Sequence, residues 1–298
     1  MSKIKIAATT DVGKERSNNE DAYIFCPDIS KQDWTGQEAT SYIPLSENGA
    51  VVVVADGMGG TNAGEVASAI ATNTIKDSFT CENVARLRAD SKSIPAFLTA
   101  CIEKADKAII QKTYDNPDTL GMGTTIVVCW VLGQKAYIAW CGDSRCYLYR
   151  PQEGLKQLTK DHSLVQEMVD KGEITEEEAF THPDSNIITR SLGDTDSLAT
   201  PDVMDYDIKP GDTILLCSDG LCGYCTDQQI EAVCARYYAD VTQCRDELLK
   251  CALDMGGYDN ICIALASFIA DDQTAPSRPS SGQGILQFFK RLLNSDND

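Results

Sequence analysis

The sequence predicts an α+β domain in which antiparallel sheet is layered against helices, and two observations carry that prediction. Apolar, β-branched runs at 124–132, 136–141 and 146–149 are separated only by Gly133-Gln134 and by Gly142-Asp143-Ser144, which reads as consecutive hairpins forming an antiparallel meander. Strand-like and helix-like patterns also fall in segregated blocks, which argues against a parallel, doubly wound sheet.

In chain order, the first strand is expected at 4–9 and the second at 50–55, where Val51-Val52-Val53-Val54 has the continuous apolar character of a buried strand. Helical patterns follow at 64–79 and 94–114. The three strands of the meander come next, then two short helices at 164–170 and 176–180. Strands at 213–217 and 261–268 bracket helices at 227–238 and 242–255. Thr175 with Glu178, and Thr226 with Gln229, have the spacing of capping boxes at two of the helix starts.

Composition limits the function. The 298 residues are 43% hydrophobic and 24% charged, as in globular proteins, but 45 Asp and Glu against 26 Lys and Arg leave a net charge of -19. So acidic a chain gains little from neutralising phosphates, so nucleic acid is excluded as a partner. The surplus acid serves solvation, or gathers carboxylates for divalent cations. No run approaches the roughly 18 apolar residues of a membrane span, and the N-terminus lacks a signal-peptide core, so a cytoplasmic protein is expected.

The 13 cysteines lie mostly in apolar runs and are read as reduced and structural. The one Cys-x-x-Cys, Cys222 to Cys225, has no second pair at zinc-ligand spacing. No composition break precedes residue 270, so 1–270 is expected to be one domain. Residues 271–284, rich in Pro, Ser, Gly and Gln, read as a flexible linker. Residues 285–298 contain a short amphipathic pattern, Ile285, Leu286, Phe288, Phe289, Leu292 and Leu293, that either packs on the domain or docks on a partner or membrane surface.

The chemistry is written in carboxylates at strand ends. Val51 to Ala55 delivers Asp56 to a Gly-rich turn, Asp56-Gly57-Met58-Gly59-Gly60. A nucleotide-binding reading of this turn fails, because position 62 is Asn62 and no Gly-Lys-Ser/Thr occurs. A carboxylate there would also repel phosphate unless a cation lay between. Ile214 to Ser218 ends in Asp219-Gly220, Asp259 precedes the strand at 261, Asp143 lies in the turn after Cys141, and Glu20-Asp21 precede Ala22. Carboxylates without nearby His or Cys suit magnesium, manganese or calcium. Two such ions sharing a carboxylate and a water can promote in-line attack on a phosphoryl group, so phosphate ester hydrolysis is the expected reaction class.

Eight motifs in order then resemble a known family: 16–21 (Arg-Ser-Asn-Asn-Glu-Asp), 56–60, Gly123-Thr124-Thr125, 142–145 (Gly-Asp-Ser-Arg), Asp161-His162-Ser163, 189–193 (Thr-Arg-Ser-Leu-Gly), Ser218-Asp219-Gly220 and Asp259-Asn260. The set is similar to the metal-dependent type 2C (PPM) Ser/Thr protein phosphatases, bacterial branch. The resemblance implies a β-sandwich of two antiparallel sheets flanked by helices, with a binuclear Mn2+ or Mg2+ centre at one end, and hydrolysis of phosphoserine and phosphothreonine by a metal-activated bridging water.

On that resemblance Asp56 bridges the ions, Gly57 offers its carbonyl to one of them, and Asp219 and Asp259 hold the other. Asp21 and Glu20 act through waters, Asp143 with Asp219 matches a third-metal position, and Arg16 binds the substrate phosphate. Residues 164–191 resemble a flap beside the site. Many members carry His where this chain has Met58, which cannot donate a proton; His162 is one candidate acid and is more readily read as structural. Expected partners are phosphorylated proteins, including a Ser/Thr kinase or its substrates. The alternative is a non-catalytic phosphatase-like regulatory or binding module.

Overall fold

The computed structural model describes residues 2–59 and 63–270. The expected linker 271–284, the segment 285–298 and the end of the Gly-rich turn at Gly60 lie outside the described residues.

The chain runs β1 (Ser2–Asp11), β2 (Ala22–Cys26), β3 (Ile43–Pro44), β4 (Ala50–Ala55), β5 (Gly57–Met58), α1 (Gly64–Ser78), α2 (Cys81–Ala89), α3 (Ile94–Asp115), β6 (Gly123–Thr124), β7 (Ile126–Leu132), β8 (Lys135–Cys141), β9 (Arg145–Arg150), β10 (Gly154–Gln157), α4 (Leu164–Asp170), α5 (Glu176–Phe180), β11 (Asp202–Asp207), β12 (Thr213–Cys217), α6 (Asp219–Cys222), α7 (Asp227–Tyr237), α8 (Val241–Asp254) and β13 (Ile261–Ala270). A six-stranded sheet has the order β10-β9-β12-β13-β1-β3, a five-stranded sheet the order β11-β8-β7-β4-β2, and β5 with β6 forms a small ribbon.

Alternation on each strand builds four layers. Val52 and Val54 face Ile4, Ile6, Leu216 and Ala264 between the sheets, while Val51 and Val53 meet Ala67, Ala71 and Ile102 of α1 and α3. On the far side Leu215, Ile263 and Leu265 pack against Ile230 and Leu248 of α7 and α8. A strand covered on both faces needs no polar position, which is why 50–55 reads as an unbroken apolar run. Both expected capping boxes form, at Thr175 and Thr226. Thr226→Ala should therefore destabilise the fold by about 1 kcal/mol, seen as a lower urea midpoint at unchanged m-value.

The expected meander is corrected. β7 and β8 form a hairpin, but β9 leaves the sheet and pairs with β12 in the other one, Cys217 opposite Arg145. The crossing is made at Gly142, whose φ of 115° favours glycine and where a Cβ would stand 2.6 Å from the Thr125 side chain. The run 124–132 also breaks at Thr125, because Thr124 pairs with Gly57 while Thr125 donates its N–H to the Asp56 carbonyl at 2.8 Å.

Candidate active site

Antiparallel pairing brings the carboxylates to one end of the sandwich. β4 ends where β2 and β7 begin, with Ala55 opposite Ala22 and Val54 opposite Val127, so Asp56 and Asp21 emerge side by side. β12 ends where β9 and β13 begin, which places Asp143, Asp219 and Asp259 at the same end. The crossing from β8 to β9 closes the gap between sheets, and Asp143 sits in it.

Hydrogen bonds fix this cluster from outside. The Asp56 backbone is held by Thr124 Oγ1, which donates to its carbonyl at 2.8 Å, and by Thr125 Oγ1, which accepts from its N–H at 3.2 Å. Ser218 Oγ donates to Asp21 Oδ2 at 2.7 Å and accepts from Cys262 N at 2.8 Å, linking the two sheets. Asn260 Oδ1 accepts from Glu20 N, and its amide donates to the carbonyls of Val12 and Asn18, so the loop bearing Arg16 is tied to β13. Arg16 Nη2 meets Asp259 Oδ2 at 2.7 Å. Ser218 and Thr125 were not assigned site roles by sequence; only their places inside the motifs marked them.

Electrostatics shows how strained the cluster is without cations. Burial pushes the Asp21 carboxyl up to about 8, and Asp219 and Asp259 add to the effect. Asp219 is pushed to about 6 by burial and then by Asp259. Asp56 and Asp143 are raised well above the ordinary carboxylate range, again by burial first and by neighbouring aspartates second.

Among the described residues Asp21 Oδ1 and Asp143 Oδ1 are buried with no hydrogen-bond partner. Orphaned oxygens on crowded carboxylates fit hard divalent cations, since a cation would satisfy both the lone pairs and the charge. Among the described residues no three His, Cys, Asp or Glu side chains already form a metal-holding group, so waters or small side-chain movements would have to complete any coordination.

Other expected residues fall as follows. The Glu20 carboxylate accepts from the Gly64 N–H at the start of α1 and is raised by its burial and by Glu65. Gly57 is wedged so tightly that a Cβ would lie 2.3 Å from the Gly64 carbonyl and 2.5 Å from that of Glu20. His162 is buried and stacked on Trp140; its Nδ1 accepts from Gly142 N at 3.1 Å and its Nε2 faces Asp202 at 3.2 Å. Both ring nitrogens have partners, and through Gly142 the ring holds the crossing that bears Asp143. Residues 164–191 carry α4 and α5, with Glu176, Glu177 and Glu178 exposed.

Among the described residues no helix is long and apolar enough to cross a membrane.

Comparison with known proteins identifies the family. The pattern of the protein phosphatase 2C family matches residues 9–261. The chain is 36% identical over 235 residues, 79% of its length and 90% of the relative's, to the serine/threonine phosphatase stp of Listeria monocytogenes serotype 4b. The solved Streptococcus agalactiae serine/threonine phosphatase superimposes with a TM-score of 0.75 at 30% identity, covering 90% of this chain and 100% of that one. The catalytic domain of serine/threonine protein phosphatase PstP, solved in complex with two manganese ions, gives 0.70 at 31% identity, covering 91% and 100%. With the family's pattern spanning both sheets, and with relatives over 30% identical across most of their own length, this chain belongs to the protein phosphatase 2C family and is a Ser/Thr protein phosphatase that acts on phosphorylated proteins.

Proposed function

We propose that residues 1–270 form the catalytic domain and that Asp56, Asp21, Asp143, Asp219 and Asp259, with Glu20 and the Gly57 carbonyl, hold two divalent cations, a third ion taking a weaker position at Asp143 and Asp219. The observation that carries this is the pair of buried, unpartnered oxygens on Asp21 and Asp143 inside a cluster whose carboxyls repel one another. When bound, Mn2+ or Mg2+ supplies charge compensation and an activated water.

The chain's own residues do the rest. Arg16 keeps Asp259 on Nη2, and its remaining N–H groups, which have no hydrogen-bond acceptor among the described residues, can fork onto the substrate phosphate. Thr124 and Thr125 keep Asp56 from shifting when charge develops on the substrate. Met58 has no proton to give and both ring nitrogens of His162 have partners, so neither side chain is assigned as the acid that protonates the leaving oxygen. The family assignment supports turnover rather than a non-catalytic module.

The same reading places the protein in the cytoplasm, opposing a Ser/Thr kinase on shared phosphoproteins, with 285–298 docking on a partner or membrane surface through the linker at 271–284. Phosphate release from a phosphothreonine peptide should require Mn2+ or Mg2+ and cease in EDTA. Release that persists undiminished in EDTA would sink the metal reading while leaving the family assignment standing.

A further inference from the structure

Six of the 13 cysteines, Cys217, Cys222, Cys225, Cys234, Cys244 and Cys251, lie in the apolar layer between the six-stranded sheet and α6 to α8. The two members of the Cys-x-x-Cys, Cys222 and Cys225, have different partners. Cys222 Sγ donates to the Ser218 carbonyl at 3.5 Å, while Cys225 Sγ donates to Cys251 Sγ, 3.3 Å away on α8. This sulfur pair differs from Cys234 with Cys244, whose members are both buried, because Cys251 is partly open to solvent.

We propose that Cys251 and Cys225 form an oxidation site that reacts with hydroperoxides and closes to a disulfide. The Cys251 sulfur attacks the terminal peroxide oxygen and breaks the O–O bond, giving a sulfenic acid; the leaving oxygen takes the thiol proton and departs as alcohol or water. The Cys225 sulfur then attacks the Cys251 sulfur. The S–S bond forms, the S–O bond breaks, and hydroxide leaves with the Cys225 proton as water. Two thiols lose two electrons, and the peroxide gains them.

Three features favour this pair. Cys251 is partly open to solvent, and the Cys225 sulfur is already within 3.3 Å of it to resolve the sulfenic acid. The thiol proton that Cys225 directs at Cys251 draws Cys251 below the ordinary thiol range, against the opposing effect of its burial. Closure to an S–S bond of about 2.05 Å requires the sulfurs to approach by roughly 1.2 Å, and Cys225 lies in the short turn between α6 and α7. That turn is part of the segment bearing Asp219: Gly223 N donates to the Asp219 carbonyl at 2.7 Å and Cys225 N to that of Leu221 at 2.9 Å.

Cys81 provides the internal reference, being exposed where Cys251 is only partly so. The reduced full chain is treated with hydrogen peroxide, remaining thiols are blocked with iodoacetamide, and peptides are mapped without reduction. The Cys225–Cys251 cross-link should exceed any other by at least ~10-fold, and Cys225→Ser should stall at a Cys251 sulfenic acid that dimedone captures. Oxidation at Cys81 before Cys251, or the absence of the 225–251 cross-link, would overturn the proposal. Should Cys225→Ser fail to fold, the wild-type map decides alone.

Discussion

Asp56→Asn should lower phosphopeptide turnover by about 10³-fold, some 4 kcal/mol of transition-state stabilisation, while leaving the metal-free protein as stable as the parent or more so. The two signs come from different parts of one residue. The backbone of Asp56 is what the fold uses: its N–H and carbonyl are held by Thr125 and Thr124, and an asparagine keeps both bonds. The side chain is what the proposed chemistry uses, and in the metal-free protein it is a liability, since burial and the nearby Asp21, Asp219 and Asp143 all oppose its charge. The neutral amide of nearly the same shape removes the repulsion and, with it, the hard anionic ligand. Phosphothreonine-peptide kinetics with manganese, alongside thermal unfolding in EDTA, reads both effects. Turnover within tenfold of wild type would remove Asp56 from the centre of the site; a large fall in the EDTA unfolding temperature would make it structural.

That division also explains what could be read from the sequence. Asp56, Asp219 and Asp259 were legible because a buried strand ending in Asp-Gly, or starting after Asp-Asn, writes the strand and its terminal carboxylate in adjacent positions. Their convergence follows from antiparallel pairing, which puts the end of β12 beside the start of β13. The role of Asp143 was less legible. The turn 142–144 is short enough for a hairpin, and only the tertiary contact of Gly142 with Thr125 and His162 shows that the chain changes sheets there. β11 escaped notice because its apolar Val203, Met204 and Tyr206 are interrupted by Asp202, Asp205 and Asp207, charges tolerated on an exposed edge strand. α2 escaped because nine residues burying only Val84 and Leu87 make too short a pattern to register. Ser218 and Asn260 hold carboxylate-bearing loops through contacts between residues distant in the chain, and no local spacing reports such contacts.

Without divalent cations, the protein should lose stability as pH rises from 5 to 8, opposite to the usual behaviour of a carboxylate-rich fold. A carboxyl whose folded value is raised binds its proton more tightly when folded than when unfolded. Its contribution is complete below the unfolded value near 4 and is lost as pH climbs through the folded value. Asp219 makes that passage at about 6 and Asp21 at about 8, while Asp56 and Asp143 are raised in the same direction. One group of opposite sign acts inside the window: burial holds His162 below the ordinary imidazole range, so it gains stability as pH rises through that range and offsets part of the fall. Asp28 and Asp194, held below the ordinary carboxylate range by local hydrogen bonds, lose their stabilisation only in acid, below the range tested. The fall in unfolding temperature in EDTA between pH 5 and 8 should be about 5–10 °C, several kcal/mol spread over a domain of this size. Saturating manganese should reverse it, with the metal-induced rise largest at pH 8, because proton and cation compete for the same oxygens. An EDTA unfolding temperature flat from pH 5 to 8 would mean that the carboxylates are already ionised and solvated in the folded protein, and the cluster would then not be the closed, charge-strained site from which the cation reading is drawn.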